Sequence, residues 1–146
     1  MENFEIIGGK KLAGEIEVRG SKNAATPILA ATLLTKDECV ISNISLIEDV
    51  FRMIEILESM GAETKWLGKR KISVKCENID SEKMDAEKIR KLRSSILLLG
   101  SLSARFDNFH LYHPGGCVIG ARPLGTHFDA MRKMGVEIGQ DDKKYL

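Results

Sequence analysis

Apolar and polar positions alternate at two distinct periods along this chain, and the switches between them mark out the elements. From Glu15 to Arg19 charged residues alternate with Ile16 and Val18, which predicts a half-buried strand. The stretch from about Ala24 to Leu34 is apolar nearly all round, predicting a helix buried between layers. Ser21 or Asn23 can cap it, and Pro27 falls in its early part, where proline is best tolerated. Cys39 to Ile44 reads as a strand. Val50, Met53, Ile54, Leu57 and Met60 form a helical stripe that Gly61 ends. Glu63 to Trp66 and Lys71 to Cys76 predict a hairpin around Leu67-Gly68-Lys69-Arg70.

The order then repeats. Ile89, Leu92, Ile96 and Leu99 stripe a second buried helix, and Phe109 and Leu111 mark a strand with His110 and Tyr112 on its other face. Phe128, Met131 and Met134 stripe a further helix that stops at Gly135, before a strand around Val136 to Ile138. Met60-Gly61-Ala62-Glu63 matches Met134-Gly135-Val136-Glu137, and 135 − 61 gives a period of 74. Two copies of a helix–strand–helix–strand unit, about 21–80 and 81–146, argue for a repeated α/β (α+β) architecture. The second copy stops where the first still has a closing strand to come, so the chain reads as cut.

Composition narrows the class without adding chemistry. With 146 residues, 43% hydrophobic and 29% charged, and a formal net charge of +1, the sequence suits one soluble unit with a real core. Near-neutral charge gives no reason to invoke nucleic acid or a membrane surface. No window reaches the roughly 18 apolar residues of a membrane span, and the acidic start lacks a signal-peptide core. A cytoplasmic protein is expected. The three cysteines fit neither a disulfide framework nor zinc spacing. Cys39 and Cys76 continue strand patterns and read as small buried residues.

Cys117 differs, because Gly115 and Gly116 place it in a loop, Pro114-Gly115-Gly116-Cys117-Val118-Ile119-Gly120-Ala121-Arg122-Pro123. A thiol near a guanidinium can be a reactive thiolate, and an inert cysteine is the equal alternative. Lys22 stands at a helix start, either as an exposed lysine or as part of an anion cradle with the helix terminus. Asn23 is an N-cap or a ligand contact. Arg93 borders a buried stripe and needs an anionic partner, a structural carboxylate or a ligand. Arg122 can offer a bidentate fork to phosphate or carboxylate, or anchor its loop through an ion pair. His110, His113 and His127 show no metal-ligand spacing, and the basic run Lys69-Arg70-Lys71 reads as a solvated turn.

Taken together, Gly20-Ser21-Lys22-Asn23-Ala24-Ala25, Lys91-Leu92-Arg93-Ser94-Ser95, Pro114 to Pro123 and His127 resemble the UDP-N-acetylglucosamine enolpyruvyl transferases, which begin bacterial peptidoglycan synthesis. The resemblance runs over the whole chain. It implies an inside-out α/β barrel, with helices inside and sheets outside, of which this chain holds about two of the three units of one domain. It also implies that residues 1–20 form a strand segment packing with a second, C-terminal domain, absent here, which brings a catalytic aspartate and a further phosphate-binding arginine. The family moves the enolpyruvyl group of phosphoenolpyruvate to the 3-hydroxyl of the sugar nucleotide and releases phosphate. By this resemblance Cys117 is the catalytic acid, and Lys22, Asn23 and Arg122 bind phosphoenolpyruvate. Asn23, Arg93, Arg122, Pro123, Leu124, Gly125 and Thr126 meet UDP-N-acetylglucosamine. No metal or other cofactor is implied.

One departure stands out. Where the family has Arg-Pro-x-Asp, this chain has Arg122-Pro123-Leu124-Gly125, which removes a carboxylate from the segment holding the uridine end. Two other readings are open: a shikimate-branch enolpyruvyl transferase, and a non-catalytic truncated relative that binds a nucleotide-sugar or serves as an interaction module.

Overall fold

The computed structural model describes residues 3–115, 123–139 and 144–145. Its first unit is built from α1 (Lys22–Ala31), a 3₁₀ turn (Thr32–Leu34), β1 (Glu38–Ser42), α2 (Glu48–Ser59), β2 (Glu63–Gly68) and β3 (Lys71–Lys75). The strands form an antiparallel sheet in the order β1-β3-β2, with Cys39 opposite Val74 and Thr64 opposite the same residue on the far side. Alternation gives this sheet two faces. Ile72 and Val74 are fully buried, with Ile41 packed beside them, while Glu38, Lys65 and Lys71 face outward.

The second unit follows as α3 (Ala86–Lys91), a 3₁₀ turn (Arg93–Leu97), α4 (Leu98–Arg105), β4 (Leu111–Tyr112), α5 (Gly125–Lys133) and β5 (Lys144–Tyr145). β4 and β5 pair antiparallel, Leu111 opposite Tyr145. The ends of α1 and α4, and those of α2 and α5, keep the sequence period: 105 − 31 and 133 − 59 both give 74.

The two helix stops are the same at the level of hydrogen bonds. Gly61 N–H donates to Glu58 and Ala62 N–H to Leu57, at 2.9 and 3.0 Å. Gly135 N–H donates to Arg132 and Val136 N–H to Met131, at 3.0 and 3.1 Å. This paired closure needs a left-handed residue just past the helix, and Gly61 (φ +103°) and Gly135 (φ +93°) supply it. The two stops, 74 residues apart, thus close in the same way.

One hydrophobic cluster runs through both units. Leu29 and Leu33 of the first, Met53, Ile56 and Leu57 of α2, and Ile89, Leu98 and Leu102 of the second are all fully buried in it. Each such side chain contributes about 1.5–3 kcal/mol. Arg105 ties the units at their edge, donating to the carbonyls of Leu33 (2.9 Å) and Glu77 (3.0 Å). Among the described residues no helix is long and apolar enough to cross a membrane.

Several expectations need correction. Residues 3–20 form no strand, and Ile16 and Val18 are exposed, because no described strand pairs with them and no described surface covers them. α1 is buried on one face only: Leu29 and Ala30 face the core while Ile28 stands half exposed. The helix expected through Ile89 to Leu102 is broken at Leu92, whose φ of −126° and ψ of 111° are extended. At the break the Leu92 and Ser95 amides donate three residues back, to Ile89 (3.1 Å) and Leu92 (3.2 Å), and the Ser95 hydroxyl joins them on the carbonyls of Leu92 (2.6 Å) and Ile89 (3.3 Å), favouring the tighter turn. His110, expected opposite the buried strand face, is itself buried, with Nδ1 3.3 Å from Glu82 and its ring edge-on to Tyr112. Cys39 is half-buried rather than core, and Val136 to Ile138 form no strand.

Candidate functional site

Gly20 begins the site by closeness of packing. A Cβ there would lie 1.9 Å from the carbonyl oxygen of Asn43, so only glycine fits, and its N–H donates to Asn43 Oδ1 at 3.2 Å. Asn43 takes a positive φ of 52°, which asparagine tolerates better than most residues. Ser21 then caps α1, accepting from the Asn23 N–H at 3.2 Å. The cap thus falls to Ser21, and the Asn23 side chain is left for the cleft. Pro27 lies one turn beyond Asn23 inside α1; having no N–H, it gives the Asn23 carbonyl no helical donor.

The loop held by Asn43 leads into α2, whose first turn carries Glu48 and Asp49, where the helix dipole favours acids. Asp49 Oδ2 lies 2.7 Å from Lys22 Nζ, joining the starts of α1 and α2 across 27 residues of sequence.

The opposite wall comes from the broken helix. α3 is capped by Asp85, whose carboxylate accepts from the N–H groups of Glu87 (2.9 Å) and Lys88 (3.2 Å), and ends at Lys91. The extended Leu92 turns the chain so that Lys91 and Arg93 reach the same space as Lys22. Gly115 packs against this corner, where a Cβ would fall 1.7 Å from the Arg90 carbonyl oxygen. Gly115, two residues before Cys117 in sequence, is therefore seated on the end of α3.

A cleft of about 570 Å³ results, lined by Lys22, Asn23, Asp49, Lys91, Arg93 and His127, with Thr26, Pro27 and Ser94 among the rest. Three cations against one carboxylate leave its described lining net positive, which suits an anionic ligand. It adjoins an apolar hollow of about 490 Å³, and the two share Ile96, Leu97 and His127. Beside Arg93 lies Tyr145: burial pushes its phenol up, with the Arg93 charge opposing.

Of the residues singled out in the sequence, Lys22, Asn23 and Arg93 meet in the cleft. Thr126 lines the neighbouring hollow. Pro123 is exposed, Leu124 precedes α5 half-buried, and Gly125 opens α5, with no described atom within 4 Å of where a Cβ would stand. Cys117 and Arg122 lie outside the described residues. Sequence reasoning missed Asp49 and Lys91. An acid in the first turn of the next helix, facing a lysine stranded at a helix start, was the available signal for Asp49.

The mixed helix and strand content, with this cleft between the helix starts, is of the enolpyruvyl transferase fold class. The sequence profile of the EPSP synthase family (3-phosphoshikimate 1-carboxyvinyltransferase) matches residues 6–146, and the chain belongs to that family. Among curated relatives it is 43% identical over 138 residues to the UDP-N-acetylglucosamine 1-carboxyvinyltransferase of Dichelobacter nodosus, covering 94% of this chain and 33% of that one. The proteins of the same name from Campylobacter hominis (39% over 142 residues; 97% and 34% covered) and Helicobacter pylori (41% over 138; 94% and 33%) are similar. The chain thus spans about one third of the length of these relatives. In structure it is similar to the enolpyruvyl transferase NikO from Streptomyces tendae, with a TM-score of 0.75 at 22% identity over 94% of this chain and 30% of that one. That likeness bears on the fold.

Proposed function

We propose that this chain supplies one side of an enolpyruvyl transferase site, acting on phosphoenolpyruvate and UDP-N-acetylglucosamine in the cytoplasm as a step of peptidoglycan synthesis. The observation that carries the reading is the meeting of Lys22, Asn23 and Arg93, distant in sequence, in one net-positive cleft. The names of the relatives favour the sugar nucleotide over the shikimate-branch acceptor.

In this reading Lys22 and Arg122 hold the phosphate of phosphoenolpyruvate. Asn23 and Arg93 orient the sugar nucleotide, with the segment Arg122, Pro123, Leu124, Gly125 and Thr126 beside its nucleotide end. The sugar 3-hydroxyl oxygen bonds to C2 of phosphoenolpyruvate as Cys117 gives a proton to C3. The tetrahedral adduct then loses a C3 proton and expels inorganic phosphate, leaving the enol ether. Positive charge around the phosphate stabilises the charge that builds there. The base for the hydroxyl comes from a C-terminal domain in the part of the relatives that this chain does not span. A base contributes about 10²–10⁴-fold, and closure of two domains excludes water.

The test is phosphate release from phosphoenolpyruvate and the sugar nucleotide. The 146-residue chain by itself is expected to show no turnover. Supplied with the remaining two thirds of a relative, it should turn over, and Cys117→Ala should abolish that activity. Sustained release by the chain alone, lost in Cys117→Ala, would show a complete enzyme. Binding of the sugar nucleotide with no turnover in either case would favour the non-catalytic reading.

A further inference from the structure

We infer that Asp49 is a positioning residue, holding the Lys22 ammonium in place to receive an anionic phosphoryl group in the cleft. This rests on the reading of Lys22 as a phosphate contact given above.

Lys22 is badly placed on its own. It is the first residue of α1, where the helix dipole repels a cation, and its side chain is about half exposed (48%). A four-carbon stem in that setting samples many rotamers, and ordering it would be charged against ligand binding. Asp49 removes both problems. Its short side chain, 38% exposed, rises from the first turn of α2, whose backbone is anchored by the fully buried Val50 and Met53. At 2.7 Å it takes one ammonium hydrogen of Lys22 and leaves two for the cleft that both residues line. Lys91 on the facing wall adds a second lysine to the described lining, so the Asp49 carboxylate does not cancel its attraction for an anion.

A mere competitor for Lys22 or a mere stabiliser of α2 would behave differently, and a double-mutant cycle separates the three. The probes are inorganic phosphate and phosphoenolpyruvate, titrated into the 146-residue chain by calorimetry and ³¹P NMR. The variants are Lys22→Ala, Asp49→Ala, Asp49→Asn and the double Lys22→Ala/Asp49→Ala, each with its melting curve. Asp49→Ala should weaken binding about three- to tenfold, the ordering penalty of one long side chain. Asp49→Asn, whose amide oxygen still accepts from Lys22, should stay within about twofold of the parent. The double variant should bind no more weakly than Lys22→Ala, because Asp49 acts through Lys22.

Unchanged or tighter binding by Asp49→Ala would make Asp49 a competitor and overturn the proposal while leaving Lys22 as the phosphate contact. Equal loss in Asp49→Asn and Asp49→Ala, following a common fall in melting temperature, would reduce Asp49 to a helix-start acid and also overturn it. Should Lys22→Ala bind as the parent does, the phosphate reading of Lys22 falls, and the role of Asp49 falls with it.

Discussion

The twin helix stops at Gly61 and Gly135 allow one perturbation to be made twice with a single difference. Both glycines sit at positive φ, +103° and +93°, so alanine at either site meets backbone strain of about 1–2 kcal/mol. At Gly135 nothing among the described residues lies within 4 Å of the added methyl, and the strain sets the effect. At Gly61 the methyl would fall 2.7 Å from the Asn78 carbonyl oxygen, a backbone atom that cannot swing aside. Asn78 lies just ahead of Asp80, whose N–H donates to Met60 at 2.8 Å, so the strand exit would have to move with it. Over-packing of this kind adds about 1–3 kcal/mol. Gly61→Ala should therefore destabilise by about 2–5 kcal/mol and Gly135→Ala by about 1–2. Urea unfolding followed by far-ultraviolet circular dichroism measures both; at about 2 kcal/mol per molar, the Gly61 variant should shift its midpoint by about 1 M or more. Equal losses at the two sites would refute the contact with Asn78, and losses below about 0.5 kcal/mol at both would refute the strained stop itself.

Two further outcomes follow from thiols and caps. With iodoacetamide at neutral pH, peptide mapping should find Cys117 modified ahead of half-buried Cys39, and Cys76 last, since burial pushes the Cys76 thiol up against the smaller opposing effects of Thr32 and Arg105; first label on Cys39 or Cys76 would count against it. Asp85→Ala should destabilise by about 0.5–2 kcal/mol through loss of the α3 cap. Burial works against ionisation of Asp85, yet the Lys88 and Glu87 amides and the Lys88 ammonium outweigh it and hold the carboxyl below its ordinary value. A lowered folded value means that this stabilisation is present above the unfolded carboxyl range and fades as pH falls through the folded one. The gap between parent and Asp85→Ala should accordingly be full at pH 7 and narrow on acidification below about pH 4, and a gap independent of pH would exclude the charged cap.

The parts of the fold that were legible in the sequence are those set by local periodicity. The α2 stripe, the β2–β3 hairpin and the glycine stops all follow from spacing and backbone freedom, and the period of 74 returns in the ends of four helices. The break at Leu92 was hidden because Ile89, Leu92, Ile96 and Leu99 keep helical spacing. The backbone there closes through amides donating three residues back and a serine hydroxyl on the same two carbonyls, which a stripe of apolar residues does not reveal. His110 was misplaced for a related reason: a two-residue strand is too short for alternation to fix its faces. At the site, Lys22, Asn23 and Arg93 came from resemblance to a family, and no local pattern distinguished them from ordinary surface residues. Asp49 and Lys91 join them through tertiary geometry, by an ion pair spanning α1 and α2 and by the turn at Leu92, with the first-turn acid of α2 the one local hint.

Residues 3–18 hold Phe4, Ile6, Ile7, Leu12, Ile16 and Val18 almost wholly in water. For the isolated chain this segment, rather than the core, governs behaviour at the bench. Its side chains bury nothing on folding, so trimming it should leave the unfolding midpoint alone while changing solubility, retention on hydrophobic resins and scattering at high concentration. An apolar stretch that pairs with no described strand is also a template for adding strands from other molecules. Storage life and yield will then depend on concentration in a way that melting temperature does not report.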